Sequence, residues 1–327
     1  MQEVPGRKNI RLDEVNRFRE KLARAENVLL FTHRNPDIDA IGSTMALARY
    51  LFQSSKKHKI LLTAPLPEKF FYLREWSEII GLSDVDNDVF DLAVGLDCST
   101  LDWSGAEDKL KEFQAKGIGL VNIDHHPNSS YGEINIIDKE SPSTSLILYE
   151  IFDFWGTPVD PKMATEILAG IIGDTNGFSN AATNTEAYLA ASELLRAGAK
   201  YNQIMKQFQQ NDHNDWLRLW SKVLSRLIKN DKLNLVYSVM LNDDLRGEES
   251  NVLDGVTNFL NNLTGVRLVM TLKESQNGEI KVSLRSLDGQ INVAKIANWF
   301  AGGGHRLAAG FSIKGSLEWE GKYWQVV

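Results

Sequence analysis

The fold of the first half of the chain is decided by the stretch Val28-Leu-Leu-Phe-Thr-His33-Arg-Asn-Pro-Asp37-Ile-Asp39-Ala-Ile-Gly-Ser43. Its apolar opening is typical of a buried β-strand, and its last residues are typical of the start of a helix. A histidine and two aspartates lie between them. An aspartate in this position is usually a helix cap, so the stretch alone does not establish a ligand-binding loop.

Strand and helix patterns alternate through the rest of this half. Such alternation indicates βαβ units and a parallel sheet, so we predict an α/β fold. The predicted strands cover residues 28–32, 59–63, 91–97 and 119–124, and the predicted helices cover 40–53, 106–115, 143–155, 161–173 and 185–197.

The length of 327 residues predicts two domains, because a single hydrophobic core stops growing at about 250 to 300 residues. We place the first domain at 1–198 and a linker helix at 199–230, where apolar residues form one helical stripe. A smaller α/β domain follows at 231–327, with predicted strands at 233–241, 266–274 and 279–286 and a helix at 293–300.

Composition excludes several classes of protein. The net charge of −7 argues against a broad basic surface, and therefore against binding of long duplex nucleic acid. The sequence has neither a secretory signal nor an apolar run of about 18 residues, so we expect a cytoplasmic protein without a membrane partner. Cys98 is the only cysteine, which excludes an internal disulfide and argues against a cysteine-ligated zinc site.

Acids and histidines recur where the predicted apolar elements end. Asp97 ends one strand, Asp124-His125-His126 ends another, and Asp174 ends a helix. Each residue alone would be interpreted as a cap or as a buried histidine. Strand ends of one polarity share a sheet edge, however, and carboxylates gathered there repel one another unless cations neutralise them. The combination therefore predicts a metal site.

The types of ligand indicate which metal is bound. Carboxylate oxygens with some imidazole suit Mn²⁺, with Mg²⁺ or Co²⁺ as alternatives, better than metals that prefer thiolates. Four carboxylates also balance the charge of two dications. We therefore expect a pair of divalent ions of the kind that promotes displacement at phosphorus.

A second candidate site lies in the last part of the chain, where Gly302, Gly303 and Gly304 precede His305 and Arg306. Three glycines can form a flexible turn, or a loop whose backbone amides bind one anion. The side chains of His305, Arg306 and the upstream Arg285 add donors for a phosphate. We therefore predict that this loop binds a terminal phosphate of the substrate.

These motifs, taken in order, resemble the DHH phosphoesterase superfamily. The matching motifs are His33-x-x-x-Asp37-x-Asp39, Asp97, Asp124-His125-His126, Gly170-Ile-Ile-Gly-Asp174 and the glycine-rich segment 302–310. The resemblance covers almost the whole chain. It implies an N-terminal parallel-sheet domain that hydrolyses phosphate esters and a C-terminal substrate-binding domain.

The resemblance also assigns roles to the candidate residues. His33 and Asp37 would hold one ion, and Asp39, His125 and Asp174 would hold the other. Asp97 would bridge both ions, and His126 would face the substrate phosphate. For Asp124 two roles stay open, direct ligation and support of the loop. A hydroxide that both ions activate would attack phosphorus.

Within the superfamily the chain is most similar to the bifunctional oligoribonucleases that also act as adenosine 3′,5′-bisphosphate (pAp) phosphatases. That likeness implies short single-stranded oligonucleotides or pAp as substrate, and a homodimer. Three alternatives stay open: a phosphodiesterase for linear or cyclic dinucleotides, a single-strand exonuclease, and a nucleotide sensor without catalytic activity.

Overall fold

The structure, a computed structural model, describes residues 12–74, 78–127, 129–180, 182–209, 214–244, 256–257, 259–261, 263–275 and 277–327. The chain divides into two compact units, Met1–Gln210 and Asn211–Val327. Within the described ranges, none of the helices combines the length and the apolarity that crossing a bilayer requires.

The first unit is built on a parallel sheet of six strands, which are β1 Asn27–Phe31, β2 Lys57–Leu61, β3 Ile79–Ile80, β4 Leu92–Leu96, β5 Gly119–Asp124 and β6 Ile134–Ile137. Their order in the sheet is β3-β2-β1-β4-β5-β6. The predicted α/β class with an N-terminal parallel sheet is confirmed.

The strand order changes direction between β1 and β4, which lie side by side. The first three strands extend to one side of this point, and β4, β5 and β6 extend to the other. In open α/β sheets, ligands bind in the crevice at the carboxyl ends of the strands where the order reverses. The residues that follow Phe31 and Leu96 therefore lie at the position that this topology favours for a site.

Helices cover the sheet, and both of its faces are buried. Along β1, Val28 and Leu30 belong to one apolar cluster, whereas Leu29 and Phe31 belong to another, as the alternation of side chains in a strand requires. The helices of this unit are α1 Leu12–Arg24, α2 Ile38–Gln53, α3 Glu107–Ala115, α4 Thr144–Trp155, α5 Pro161–Asp174, α6 Thr185–Arg196 and α7 Tyr201–Gln209.

Helices α2 and α5 approach each other closely at Gly42. A Cβ atom at that residue would lie 2.5 Å from the backbone oxygen of Glu166. The buried side chains of Arg49 and Glu166 join the same two helices, with Nη2 and Oε1 separated by 3.1 Å. This contact brings the start of α2 beside the end of α5.

The second unit contains α8 Asn214–Ser225, β7 Ile228–Asn230, β8 Leu235–Met240, β9 Leu268–Glu274, β10 Glu279–Ser286, α9 Val293–Asn298, β11 Gly303–Gly304, β12 Ala308–Lys314, β13 Leu317–Trp319 and β14 Trp324–Val326. Six of its strands form a mixed sheet in the order β11-β12-β10-β9-β8-β7, in which β8 and β9 are parallel. A two-stranded sheet pairs β13 with β14.

The stretch predicted as a linker helix, 199–230, contains α7, α8 and β7. Strand β7 begins at Ile228, which pairs with Tyr237, so the second sheet starts before the predicted helix ends. The division between the compact units falls inside this stretch, after Gln210. The domain limits at 198 and 230 stay predictions.

Candidate metal centre

Asp97 occupies the centre of the candidate site. It follows β4 with a φ of 52°, a left-handed conformation that aspartate adopts more readily than most residues. Its carboxylate is buried between two imidazoles: the Nε2 atom of His33 lies 3.7 Å from Oδ2, and the Nε2 atom of His125 lies 3.5 Å from Oδ1. One carboxylate with a histidine on each side has the arrangement expected of a bridging ligand.

Asp39 lies in the first turn of α2 and is fully buried. The backbone N–H of Thr144 donates to Oδ2 over 2.7 Å, and the N–H of Ser145 donates to Oδ1 over 2.9 Å. These amides belong to the first turn of α4, where the helix dipole favours an anion. Burial and the neighbouring charge of Asp37 nevertheless raise the pKa of Asp39 to about 7.

Asp174, in the last turn of α5, faces His125. Its Oδ2 atom lies 3.3 Å from the Nε2 atom of this histidine. Burial, followed by the charges of Asp39 and Asp37, raises the pKa of Asp174 well above its ordinary value. Burial and then the same mutual repulsion raise the pKa of Asp97 in the same direction.

His33 and Asp37 complete the candidate set on the side of β1. The exposed Asp37 caps α2, because its Oδ1 accepts the N–H groups of Asp39 and Ala40 at 3.0 Å each. Its second oxygen is not used by the cap. Burial lowers the pKa of His33, which favours the neutral imidazole that binds metals.

His126 is held by Asp124. The distance between its Nδ1 and Oδ1 of Asp124 is 2.8 Å, and its backbone N–H donates to the same oxygen over 3.0 Å. The hydrogen bond to Asp124 raises the pKa of His126. Burial alone would raise the pKa of Asp124, but the bonds from His126 more than offset it, so the pKa lies below its ordinary value. This geometry favours support of His126 as the role of Asp124.

These residues form three groups in which the potential ligand atoms lie within 4.8 Å of one another: His33, Asp37 and Asp97; Asp39, His125 and Asp174; and Asp97, Asp124, His125 and His126. Burial and mutual repulsion raise the pKa values of Asp39, Asp97 and Asp174, so a bound cation would stabilise their charged forms. The buried Nε2 of His125 also has no hydrogen-bond partner among the described residues. Carboxylate oxygens that repel one another and an imidazole nitrogen without a hydrogen-bond partner among the described residues fit divalent cations.

Two contributions to the site were not predicted from the sequence. The hydroxyl of Thr144 donates to Oδ1 of Asp97 over 3.1 Å, and the α4 amides bind Asp39. Ser143 is the N-cap of α4, and its side chain accepts the N–H of Leu146. A Ser-Thr-Ser run before an apolar helix indicates a cap, but only the tertiary fold places that cap against two acids.

The phosphate-binding residues predicted for the second unit lie at one end of its sheet. Arg285 on β10 is in register with Ala308, and Arg306 donates to the backbone oxygen of Gly289 over 3.0 Å. The amides of Gly302 and His305 donate to backbone oxygens within the unit. Because these two amides already have acceptors, we expect the predicted anion to be bound by the side chains of Arg285, His305 and Arg306.

The glycines of this segment are sterically required at two of three positions. A Cβ atom at Gly302 would lie 2.2 Å from the oxygen of Gly310, and Gly304 has a φ of 133°. A Cβ atom at Gly303 would have no neighbour within 4 Å. Close packing of β11 on β12 thus explains Gly302 and Gly304, and it leaves Gly303 unexplained.

The comparison with known proteins identifies both units. The model of the DHH family N-terminal domain matches residues 27–171, and the model of the DHHA1 domain matches residues 233–322. Together the two matches cover most of the chain. The chain therefore contains a DHH-family N-terminal domain and a DHHA1 domain. The resemblance inferred from the ordered motifs is confirmed, and with it the assignment as a phosphoesterase, a hydrolase of a metal-dependent class.

Similar proteins include enzymes of two kinds. The chain is 29% identical, over 88% of its length and 84% of the other protein, to the bifunctional oligoribonuclease and PAP phosphatase NrnA of Thermus thermophilus. It is 26% identical to the cyclic-di-AMP phosphodiesterase GdpP of Geobacillus thermodenitrificans, over 88% of this chain and 45% of that protein.

A solved structure shares the fold. The crystal structure of an exopolyphosphatase-related protein from Bacteroides fragilis superposes with a TM-score of 0.80, covering 97% of this chain and 94% of that one, at 24% identity. Likeness at this identity establishes the fold alone.

Proposed function

We propose that this DHH-family protein uses two divalent ions, preferably Mn²⁺, to hydrolyse short single-stranded oligonucleotides and pAp. The observation that carries the proposal is the convergence of six side chains from four segments, with the Asp97 carboxylate between His33 and His125. The name of the Thermus relative, which describes an oligoribonuclease and PAP phosphatase, supports the choice of substrate.

The proposed ligands are His33 and Asp37 for one ion, Asp39, His125 and Asp174 for the other, and Asp97 for both. Bound ions of this kind acidify water and neutralise charge that develops on a phosphate. The hydrogen bond to Asp124 raises the pKa of His126 and so favours its protonated form, and the same bond fixes its Nδ1. His126 is thereby suited to donate a proton from Nε2 to the leaving oxygen.

The second unit is proposed to bind a terminal phosphate through the side chains of Arg285, His305 and Arg306. Such an anchor would bind the end of a strand and not its middle, which agrees with substrates that are a few nucleotides long. The net charge of −7 agrees, since it disfavours a long phosphate backbone.

Hydrolysis of a dinucleotide is the second candidate function. It is favoured by the likeness to a cyclic-di-AMP phosphodiesterase, although this chain corresponds to only 45% of that protein. Cyclic and linear dinucleotides therefore belong in the same assay as oligonucleotides.

A length series tests the proposal. Wild-type protein with Mn²⁺ is assayed against oligoribonucleotides from the dinucleotide upward, pAp, and cyclic di-AMP at equal concentrations. We expect hydrolysis of pAp and of the shortest oligonucleotides, with a steep loss of rate beyond a few nucleotides. A rate that rises with length would indicate a single-strand exonuclease and contradict the proposal. Binding without turnover would indicate a sensor.

A further inference from the structure

The candidate metal centre is bordered by a half-exposed indole. Trp103 lies in a short 3₁₀ turn, Asp102–Ser104, that follows β4 and Asp97. The residue is 51% exposed, and its ring centroid lies 5.8 Å from that of His33, a proposed metal ligand. A large apolar ring in water beside a polar site is not explained by packing of the core.

The turn that carries Trp103 is fixed from several sides. The backbone N–H of Arg34 donates to the oxygen of Trp103 over 2.8 Å, and its guanidinium donates to the oxygen of Asp102 over 2.7 Å. The hydroxyl of Thr63 donates to the oxygen of Ser104 over 2.7 Å. The indole is therefore held next to the His33 loop before any substrate arrives.

We infer that Trp103 binds a nucleobase of the substrate, and this inference rests on the proposed function. One base next to the scissile phosphate stacks on its indole ring. An indole face binds every base, so it suits an enzyme that accepts short oligonucleotides of any sequence. The exposed residue Arg34, whose guanidinium donates to the backbone oxygen of Asp102, adds positive charge beside the turn that carries Trp103.

Two aromatic residues that lie close to other candidate residues in the sequence are engaged with other rings. Phe178 stacks on Tyr188 with ring centroids 5.2 Å apart, and Phe300 stacks on Phe311 at 4.4 Å. Trp103 instead combines exposure with direct contact to a proposed ligand.

The test compares Trp103→Ala, Trp103→Phe and a control, Phe52→Ala, on dinucleotides with both bases and on dinucleotides in which one base is replaced by hydrogen. Phe52 is 59% exposed in the last turn of α2, the opposite end from Asp39. We expect Trp103→Ala to lower kcat/KM on the normal dinucleotide about tenfold to a hundredfold, chiefly through KM. Trp103→Phe should recover most of the activity, and the control should match wild type.

The substrate that lacks the stacked base should lose little further activity in Trp103→Ala. An equal loss on both substrates, or no loss on either, would overturn the inference. Thermal unfolding of each variant checks the fold.

A binding measurement covers the case in which the Ala variant does not fold. The fluorescence of Trp103 is taken as the difference between wild type and Trp103→Phe, and adenosine 5′-monophosphate is titrated into the Mn²⁺-loaded protein. We expect adenosine 5′-monophosphate to quench the fluorescence of Trp103. Fluorescence that stays unchanged would contradict base stacking. Failure of wild type to cleave any short oligonucleotide would instead reject the proposed function, and the quenching result would still decide the role of Trp103.

Discussion

Asp97 combines a left-handed backbone with a carboxylate that is contacted from two sides. Its φ of 52° is uncommon outside glycine, and such residues cluster at functional sites. The conformation directs one oxygen toward His33 and the other toward His125. Thr144 then fixes the second oxygen from the N-terminus of α4. The candidate site therefore depends on support from residues that are not themselves proposed as metal ligands.

Thr144→Val tests this support. The substitution keeps the shape of the side chain and removes the hydroxyl that donates to Asp97. We expect affinity for Mn²⁺ to fall about 10- to 100-fold, as is typical when a partner of a metal ligand is lost. Titration calorimetry of the metal-free protein measures the change, and Thr144→Ser, which retains the donor, should stay within a few fold of wild type. Equal affinity in the Val and Ser variants would argue that the hydroxyl has no role.

The closeness of α2 and α5 positions ligands from opposite ends of two helices. Asp39 lies in the first turn of α2, and Asp174 lies in the last turn of α5. The helices meet where Gly42 faces the backbone of Glu166, so there is no room for a larger residue. The distance between the two acids is thus set by packing of the helices.

Gly42→Ala should separate these helices. Its Cβ would lie 2.5 Å from the oxygen of Glu166 and 3.2 Å from the nitrogen of Gly170. Overpacking of this kind costs about 1–3 kcal/mol in the free energy of unfolding, which urea denaturation measures. Mn²⁺ affinity should fall as well, because the acids move apart. The control is Gly81→Ala, whose Cβ would meet its nearest atom at 3.6 Å. A Gly42 variant as stable as this control would contradict the account.

The predicted strands of the first unit lie within two residues of the observed ones, because apolar runs bounded by polar residues are a strong local signal. Helix α1 was missed, although Val15, Phe18 and Leu22 are buried at helical spacing. The ligands were predictable because each directly follows an apolar element, and the rule for strand ends gathers them. The contacts of Thr144 and Trp103 with the site could not be predicted, because they depend on which distant loops pack beside these residues.

The protein as a unit combines a buried cluster of acids with a negative net charge of −7. In the metal-free state burial and mutual repulsion raise the pKa values of Asp39, Asp97 and Asp174. Bound cations remove this repulsion, so stability, pH and metal are linked. A cytoplasmic location and a homodimer stay predictions.

This linkage gives a prediction with a definite sign. The pKa of Asp39 is raised to about 7 in the folded metal-free chain, whereas the ordinary pKa of an aspartate is 3.8. Between these values the unfolded chain binds fewer protons, so the stability of the metal-free protein falls as pH rises through this window. The increase in Tm caused by Mn²⁺ should therefore be larger at about pH 8 than at about pH 5.5. Calorimetric scans with and without the metal measure it, and an increase that is independent of pH would count against the buried acids as ligands.

The most direct measurement of the proposed metal centre is the number and coupling of Mn²⁺ ions bound by wild type and by Asp97→Asn. Asparagine tolerates the left-handed backbone, so the fold should persist. We predict two ions per wild-type chain, with the electron paramagnetic resonance spectrum of a coupled pair about 3.5 to 4 Å apart, and loss of the coupled spectrum and of turnover in Asp97→Asn. A wild-type chain that binds one isolated ion or none, or a variant that keeps the coupled pair, would contradict the account.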